Sequence, residues 1–156
     1  MADDLKDAEA KAIAEFLLEE TGVAIRTKNF DAFAPHFRLP ITAGSFDGDH
    51  LAETMEDLRR IFDGVVGCQK SRSVTDMVRE VIASSFIDED TIGSTHMTYL
   101  LSGTQMVIAP YACHSILRRV DGEWSVAESR YAVDTHTKLS AVLAGRFNEQ
   151  KDDPNV

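Results

Sequence analysis

"LRRVDGEWSVAESRYAV", Leu117 to Val133, consists of two short apolar-polar ribbons joined at Asp121-Gly122. Alternation on both sides of an Asp-Gly pair is the signal of a β-hairpin. These are the most strand-like residues of the chain, and they stand near its end, whereas the first third has the spacing of helices. Helices first and strands afterwards make an α+β plan, in which the helices must cover one face of the sheet.

Upstream of the hairpin, the stretches "VTDMVREVIASSFI", "TIGSTHMTYLL" and "TQMVIAPYACHSILRRV" are rich in Val, Ile, Thr and aromatic residues, and Asp-Glu-Asp and Ser-Gly turn signals separate them. They are expected to be successive antiparallel strands. Asp76 to Ala83 is ambiguous, since Met77, Val81 and Ser84 also suit a helical turn.

The N-terminal third has a different period. From Asp7 to about Lys28, Ile13, Phe16, Leu17 and Ala24 recur at helical spacing opposite Glu9, Glu15 and Glu19. Asn29 can cap a short helix carrying Phe30 and Phe33, and Pro35 limits it. "RLPITAGSFDGDH" reads as an extended edge segment and a turn, because Pro40 removes a ladder donor. A third helix follows in "HLAETMEDLRRIFDGVVG", with Leu51, Met55, Leu58, Ile61, Phe62 and Val65 as its stripe and Gly64 or Gly67 as its end. Ile13, Phe16, Leu17, Phe33, Leu58 and Phe62 are the expected core. A short C-terminal helix fits "THTKLSAVLAGRF". Residues 1–6 are expected to be flexible, 7–147 to form one domain, and 148–156 to be a disordered tail.

Composition narrows the function. The chain has 156 residues, 44% of them hydrophobic, which suits a single core. Its formal net charge of -10 repels phosphate backbones and anionic headgroups, so neither nucleic acid nor a membrane is an expected partner. Cys68 and Cys113 stand alone, without disulfide or zinc spacing. The acidic start "MADDLKDAEA" lacks the features of a signal peptide, and a cytoplasmic location is expected.

Helix-loop-helix "AIRTKNFDAFAPHF", the third helix "LAETMEDLRRIFDGV" and the terminal "LRRVDGEWSVAESRYAV" together resemble the nuclear-transport-factor-two-like (NTF2-like) superfamily. Its members include SnoaL-like polyketide cyclases, scytalone dehydratase and ketosteroid isomerase. The resemblance spans residues 8 to 134. It implies a cystatin-like cone, with N-terminal helices in the concavity of a strongly curved, mostly antiparallel sheet. It also implies a small-molecule pocket at the open end of the cone, no cofactor, and homodimers formed sheet to sheet.

Between Thr91 and Val120 there is no Asp or Glu, although the chain is acidic overall. This departs from ketosteroid isomerase, and "LPITAGS" stands where that enzyme's first-strand base would fall. The polar side chains left for chemistry there are His96, Tyr99, Tyr111, His114, Ser115, Arg118 and Arg119, with Gln105 and several Ser and Thr, while Arg79 and Arg130 interrupt apolar strands. His96 and His114 lie on strands that should pair, so both could face one cavity as bases near neutral pH, with Tyr99 as a donor. A strand histidine is equally a hydrogen-bonded filler or a surface residue. Arg79 and Arg130 could reach a carboxylate or enolate, or could pair with Glu80 and Glu128. The five histidines have no HxH or HExxH spacing, so no metal site is expected.

The leading expectation is a SnoaL-like small-molecule-binding protein, as a cofactor-independent isomerase, dehydratase or cyclase acting on an apolar substrate. The alternatives are a non-catalytic ligand-binding or dimerisation module, or a structural unit resembling the small subunit of aromatic-ring dioxygenases. Apolar residues on both parities of the strands, among them Met97, Tyr99, Leu101, Met106, Ile108, Tyr131 and Val133, point to a covered outer face. Its cover is either a second copy or the segment Thr137 to Phe147.

Overall fold

Asp121 and Gly122 both have positive φ, 54° and 80°, the pair of values a tight hairpin turn demands, and Val120 faces Glu123 across it. The turn joins β6 (Tyr111–Val120) to β7 (Glu123–Tyr131). The computed structural model describes residues 2–135 and 137–147.

Five further strands complete a seven-stranded sheet. They are β1 (Phe37–Ser45), β2 (Gly48–Ala52), β3 (Asp76–Asp88), β4 (Thr91–Ser102) and the short β5 (Gln105–Met106). The order is β2-β1-β7-β6-β4-β3, with β5 beside β4. Every pairing is antiparallel except β1 with β7. The ambiguous Asp76–Ala83 segment is strand, because its alternate residues pair with β4 all the way to Leu101.

Four helices accompany the sheet: α1 (Ala2–Arg26), α2 (Phe30–Phe33), α3 (Met55–Ser71) and α4 (Lys138–Leu143). Asn29 caps α2 by accepting from the Ala32 amide at 3.1 Å. Thr54 and Asp57 form a capping box at the start of α3.

Several expectations need correction. Residues 2–6 belong to α1 rather than to a loose terminus, while the expected tail 148–156 lies outside the described residues. On α1 the buried positions are Ala10, Ala14, Leu17, Thr21 and Ala24, and Phe16 is 57% exposed. The small residues let the helix sit close to the sheet, and that rotates the larger Phe16 outward, against the ring of His36. Helix α3 continues through Gly64 and Gly67. Gly64 is a contact point instead, since a Cβ there would stand 2.4 Å from Val142 Cγ1 of α4. Strand β1 is internal, not an edge: it lies between β2 and β7, and Pro40 falls where the β1–β7 register is interrupted.

The C-terminal segment does not lie over the outer face. Helix α4 buries Val142 and Leu143 beside α3 and β1, and Ser45 Oγ donates to the Ser140 carbonyl at 2.7 Å. The core divides into a cluster around Phe33, Leu58 and Phe62, one at the narrow end around Leu17, Ile92 and Leu117, and one around Leu100, Tyr111 and Leu143.

Candidate functional site

Because side chains alternate along a strand, the registers of β3, β4, β6 and β7 stack the concave face into rungs. The innermost is apolar: Phe86, Ile92, Leu117 and Val126. Next come Ser84, Ser94, Ser115 and Ser129, then Val81, His96, Cys113 and Tyr131. Arg79, Thr98 and Tyr111 form the fourth, and Met77 with Leu100 returns to apolar. A polar band therefore crosses the cone between two apolar zones. Register shifts at Val81/Ala83 in β3 and opposite Ile116/Leu117 in β7 stand beside it. Such bulges bend strands and sharpen the curvature.

Within the serine rung, Ser84 and Ser94 are hydrogen-bonded at 2.7 Å, and Ser115 and Ser129 at 3.2 Å. Helix α1 roofs the band. Arg79 reaches it from β3, and its Nη2 donates to the Leu18 carbonyl at 2.5 Å and to Thr21 Oγ1 at 2.8 Å. No carboxylate pairs with Arg79 among the described residues. Glu15 and Glu19 line a crevice on its other side, toward solvent.

A cavity of about 40 Å³ remains at the centre, lined by Arg79, Ser94, His96, Ser115, Ser129 and Tyr131 among others. His96 is only 3% exposed, and its Nε2 has no hydrogen-bond partner. Burial, aided by the charge of Arg79, pushes its pKa down to about 3, so the ring is neutral at physiological pH. Burial pushes Tyr111 up to about 12 and Cys113 up to about 11, and it raises Tyr131 as well. An arginine stays protonated even when burial lowers its pKa, as it does here. Arg79 is thus the one formal charge in the band among the described residues.

Toward the mouth lies a larger cavity of about 290 Å³, walled by Val65, Cys68, Leu100, Ile108, Tyr111 and Val133 among others. Tyr111 bounds this chamber and Tyr131 the deep one. Their rings meet edge to face at 6.4 Å between centroids and form the partition between the two.

The structure brings together Arg79, His96 and Ser115 and leaves the other expected site residues outside. His96 faces Cys113 across the ladder, whereas His114 pairs with Thr95, so the two imidazoles project from opposite sides of the sheet. His114 is exposed, with Nδ1 3.2 Å from Thr95 Oγ1. Tyr99 lies half-buried on that same outer face, opposite Val78. Arg130 is at the surface, 3.3 Å from both Asp49 and Glu128. The hydrogen bond that Arg130 donates to the Asp49 carboxylate is the main cause of its raised pKa. Pairing of their strands does not by itself put both histidines on one face, because one step of register decides the face. Thr21, Ser94, Ser129 and Tyr131 were not foreseen. The even positions of "TIGSTHMTYL", Ile92 through Leu100, carry the signal, since they alone run apolar, Ser, His, Thr, apolar.

Among the described residues no three His, Cys, Asp or Glu side chains come together as a metal site. No helix there is long and apolar enough to cross a membrane.

No protein-family model matches the sequence, and no curated protein is similar to it. Solved structures do match. An NTF2-like protein of unknown function from Shewanella oneidensis superposes with a TM-score of 0.59 at 9% identity, over 78% of this chain and 98% of that one. A protein of unknown function with a cystatin-like fold from Nostoc punctiforme gives 0.60 at 14%, over 81% and 92%. A ketosteroid isomerase-like protein from Erwinia carotovora gives 0.60 at 15%, over 80% and 95%. The fold is therefore the NTF2-like, cystatin-like cone. At these identities the likeness is one of fold and carries no activity with it.

Proposed function

We propose that this NTF2-like cone is a small-molecule-binding protein of the SnoaL-like kind, whose ligand enters through the mouth chamber and meets the polar band. One observation carries the reading. His96 Nε2 is buried and unpartnered, and the ring lines a cavity that Arg79 also lines, a guanidinium with no ion pair among the described residues. Buried polar atoms are nearly always paired, and an orphan in a cleft marks a place where a ligand atom belongs.

The arrangement suits proton transfer beside a carbonyl. Neutral His96 would take a proton from the carbon next to the carbonyl, the C–H electron pair would move onto the carbonyl oxygen, and Arg79 would face that oxyanion. Where the substrate carries a double bond β,γ to the carbonyl, the proton would return at the γ carbon as the oxyanion pair re-forms the carbonyl, giving an isomerisation without a cofactor. Without that double bond it returns at the α carbon, and the result is exchange. An imidazole with a pKa of about 3 is a weak base while the cavity is empty. A developing negative charge in the same cavity stabilises the imidazolium and strengthens the base.

A second reading, a binding module without catalysis, is favoured by the small size of the deep chamber, about 40 Å³. The two separate experimentally. The full chain is incubated in D2O with small enolisable cyclic ketones, and loss of their α-proton signals is followed by NMR. Exchange above the protein-free rate that His96→Asn abolishes supports the catalytic reading. Binding without exchange, seen as a thermal shift, leaves the module; neither result removes both.

The outer face is proposed to pair with a second copy. Val78 and Ile82 are 49% and 55% exposed there, beside Met97, Tyr99 and Ile116, and α4 lies elsewhere. Monomers rarely leave such a contiguous apolar strip in water.

A further inference from the structure

We infer that the polar band is a receptor for a single carboxylate group, and that the ligand of the cone is an amphipathic monocarboxylate with its head on Arg79 and its apolar body in the mouth chamber. The inference rests on the ligand-chamber reading above and adds the chemical class.

The charge inventory points to an anion. Arg79 projects into the cone from an apolar surround, with Val81 and Met77 next to it on the same face of β3. Its partners there are a carbonyl and a hydroxyl, neither of which neutralises it. The other concave groups of the band are Ser, Thr, Tyr, Cys and a neutral imidazole, so no acid balances the guanidinium from inside. Elsewhere in the chain arginines facing solvent have found carboxylates: Arg59 with Asp63, Arg60 with Glu56, Arg119 with Asp90, and Arg130 with Asp49. Arg79, half-buried on the concave face, has no ion-pair partner among the described residues, and Glu19 across the crevice under α1 acts on it only through space. A buried cation is costly until an opposite charge joins it.

The geometry selects a carboxylate among anions. A volume of about 40 Å³ holds roughly three water-sized positions, the size of one planar CO2 group. The donors around it match two acceptor oxygens: guanidinium N–H on one side and the Ser115 and Ser129 hydroxyls on the other. A phosphate or sulfate would need more room and a second positive charge, and the cavity has neither. The rest of such a ligand has one apolar outlet. Across the Tyr111–Tyr131 partition lies the mouth chamber, about 290 Å³, near the lower end of the small-molecule range. Its walls are mostly Val, Leu, Ile, Pro and Ala, which suit a hydrocarbon body of modest length, with Gln69, Arg72, Asp134 and Thr137 as the polar part of the lining.

The test compares charged and uncharged ligands of one shape. Octanoate and octanamide, with benzoate and benzamide as a ring-bearing pair, are titrated calorimetrically into the full chain at pH 7.5. At least one acid should bind about tenfold to a hundredfold more tightly than its amide, the range expected for a charge-assisted hydrogen-bonded pair. Arg79→Met should abolish that preference, Arg79→Lys should keep part of it, and Arg130→Ala should leave it intact. If Arg79→Met does not fold, carboxyl-13C octanoate bound to the wild type gives an independent measure: its carboxyl resonance should titrate at a lower pH than in free octanoate. Equal binding of acid and amide, an unchanged preference in Arg79→Met, or an unshifted bound carboxyl overturns the carboxylate. Tighter binding of the amides overturns it too while leaving the cone as a ligand chamber, and no binding by any of the four overturns both.

Discussion

His96 and His114 sit on paired strands, one register step from facing each other, and occupy different media. His96 is enclosed among side chains that, Arg79 apart, carry no charge, while His114 stands in water beside Thr95. The same division runs along β3, β4, β6 and β7. The concave face sorts its residues into apolar and polar rungs, whereas the outer face mixes Val78, Met97 and Tyr99 with Glu80, His114 and Arg130. The comparison teaches that a polar residue here gains a chemical role from its rung rather than from its type.

The sharpest way to break this contrast is to truncate neighbours of opposite parity. Leu117 is 3% exposed in the narrow-end core, and Ile116 beside it points outward, half-buried. Leu117→Ala should lower the unfolding free energy by about 3 kcal/mol, and Ile116→Ala by under about 1 kcal/mol in the monomer. Urea denaturation of both variants measures this. Equal costs would mean that the outer face is packed as tightly as the inner.

Burial should also set how His96 responds to acid. In the unfolded chain an imidazole protonates near its ordinary value of about 6.5, while folded His96 resists down to about 3. Between those values the unfolded state binds the extra proton, so stability is present above pH 6.5 and falls as the pH drops toward 3. The slope from this group is about 1.4 kcal/mol per pH unit. Denaturation of wild type against His96→Gln from pH 7 to 4.5 isolates that slope from the carboxylates, which are common to both. A parallel His96→Gln profile would mean that the ring is hydrated in solution.

A charge on the outer strip tests the second copy. Sedimentation should give a species of about twice 17.3 kDa at micromolar concentration, and Tyr99→Glu should weaken self-association by about tenfold or more. The same substitution leaves the concave face untouched. A wild type that sediments at 17.3 kDa would show that the apolar strip serves something other than pairing.

Much of the cone was legible in the sequence because its signals are local. Asp121-Gly122 fixed a turn by φ preference, Asn29 a cap, and the alternation in Leu117 to Val133 a hairpin. What stayed hidden depends on contacts between distant segments. Phe16 was expected inside because periodicity alone cannot say which side of a helix is narrow enough to approach the sheet, and Ala10 and Ala14 take that side. Gly64 was expected to end α3, but its meaning is set by Val142 on α4. The site suffered most from this. Arg79, His96 and Ser115 were foreseen as candidates, yet their companionship required registers shifted by two bulges, at Val81/Ala83 and Ile116/Leu117. Sequence spacing counts residues and does not see a bulge.

The smallest expected effect comes from the other arginine foreseen as a ligand-binding residue. Arg79 and Arg130 each interrupt a strand, but opposite parity separates them as it does the histidines. Arg130 holds Asp49 of β2 and Glu128 of its own strand, each at 3.3 Å, with half of its side chain in solvent. Exposed ion pairs of this kind contribute little, since water screens both partners and ordering long side chains costs entropy. Arg130→Ala should therefore change stability by less than about 1 kcal/mol, and raising the salt should shrink the difference further. Arg79→Met removes a charge that nothing inside the cone compensates, so its stability cost should be small or even reversed, while its effect on an anionic ligand should be large. The pair thus inverts the usual expectation that the buried arginine is the structural one. Thermal denaturation at low and high salt, run beside the acid and amide titrations, measures both. A loss of several kcal/mol in Arg130→Ala would place the structural arginine on the outer face, where Asp49 and Arg130 would then be holding β2 to the sheet.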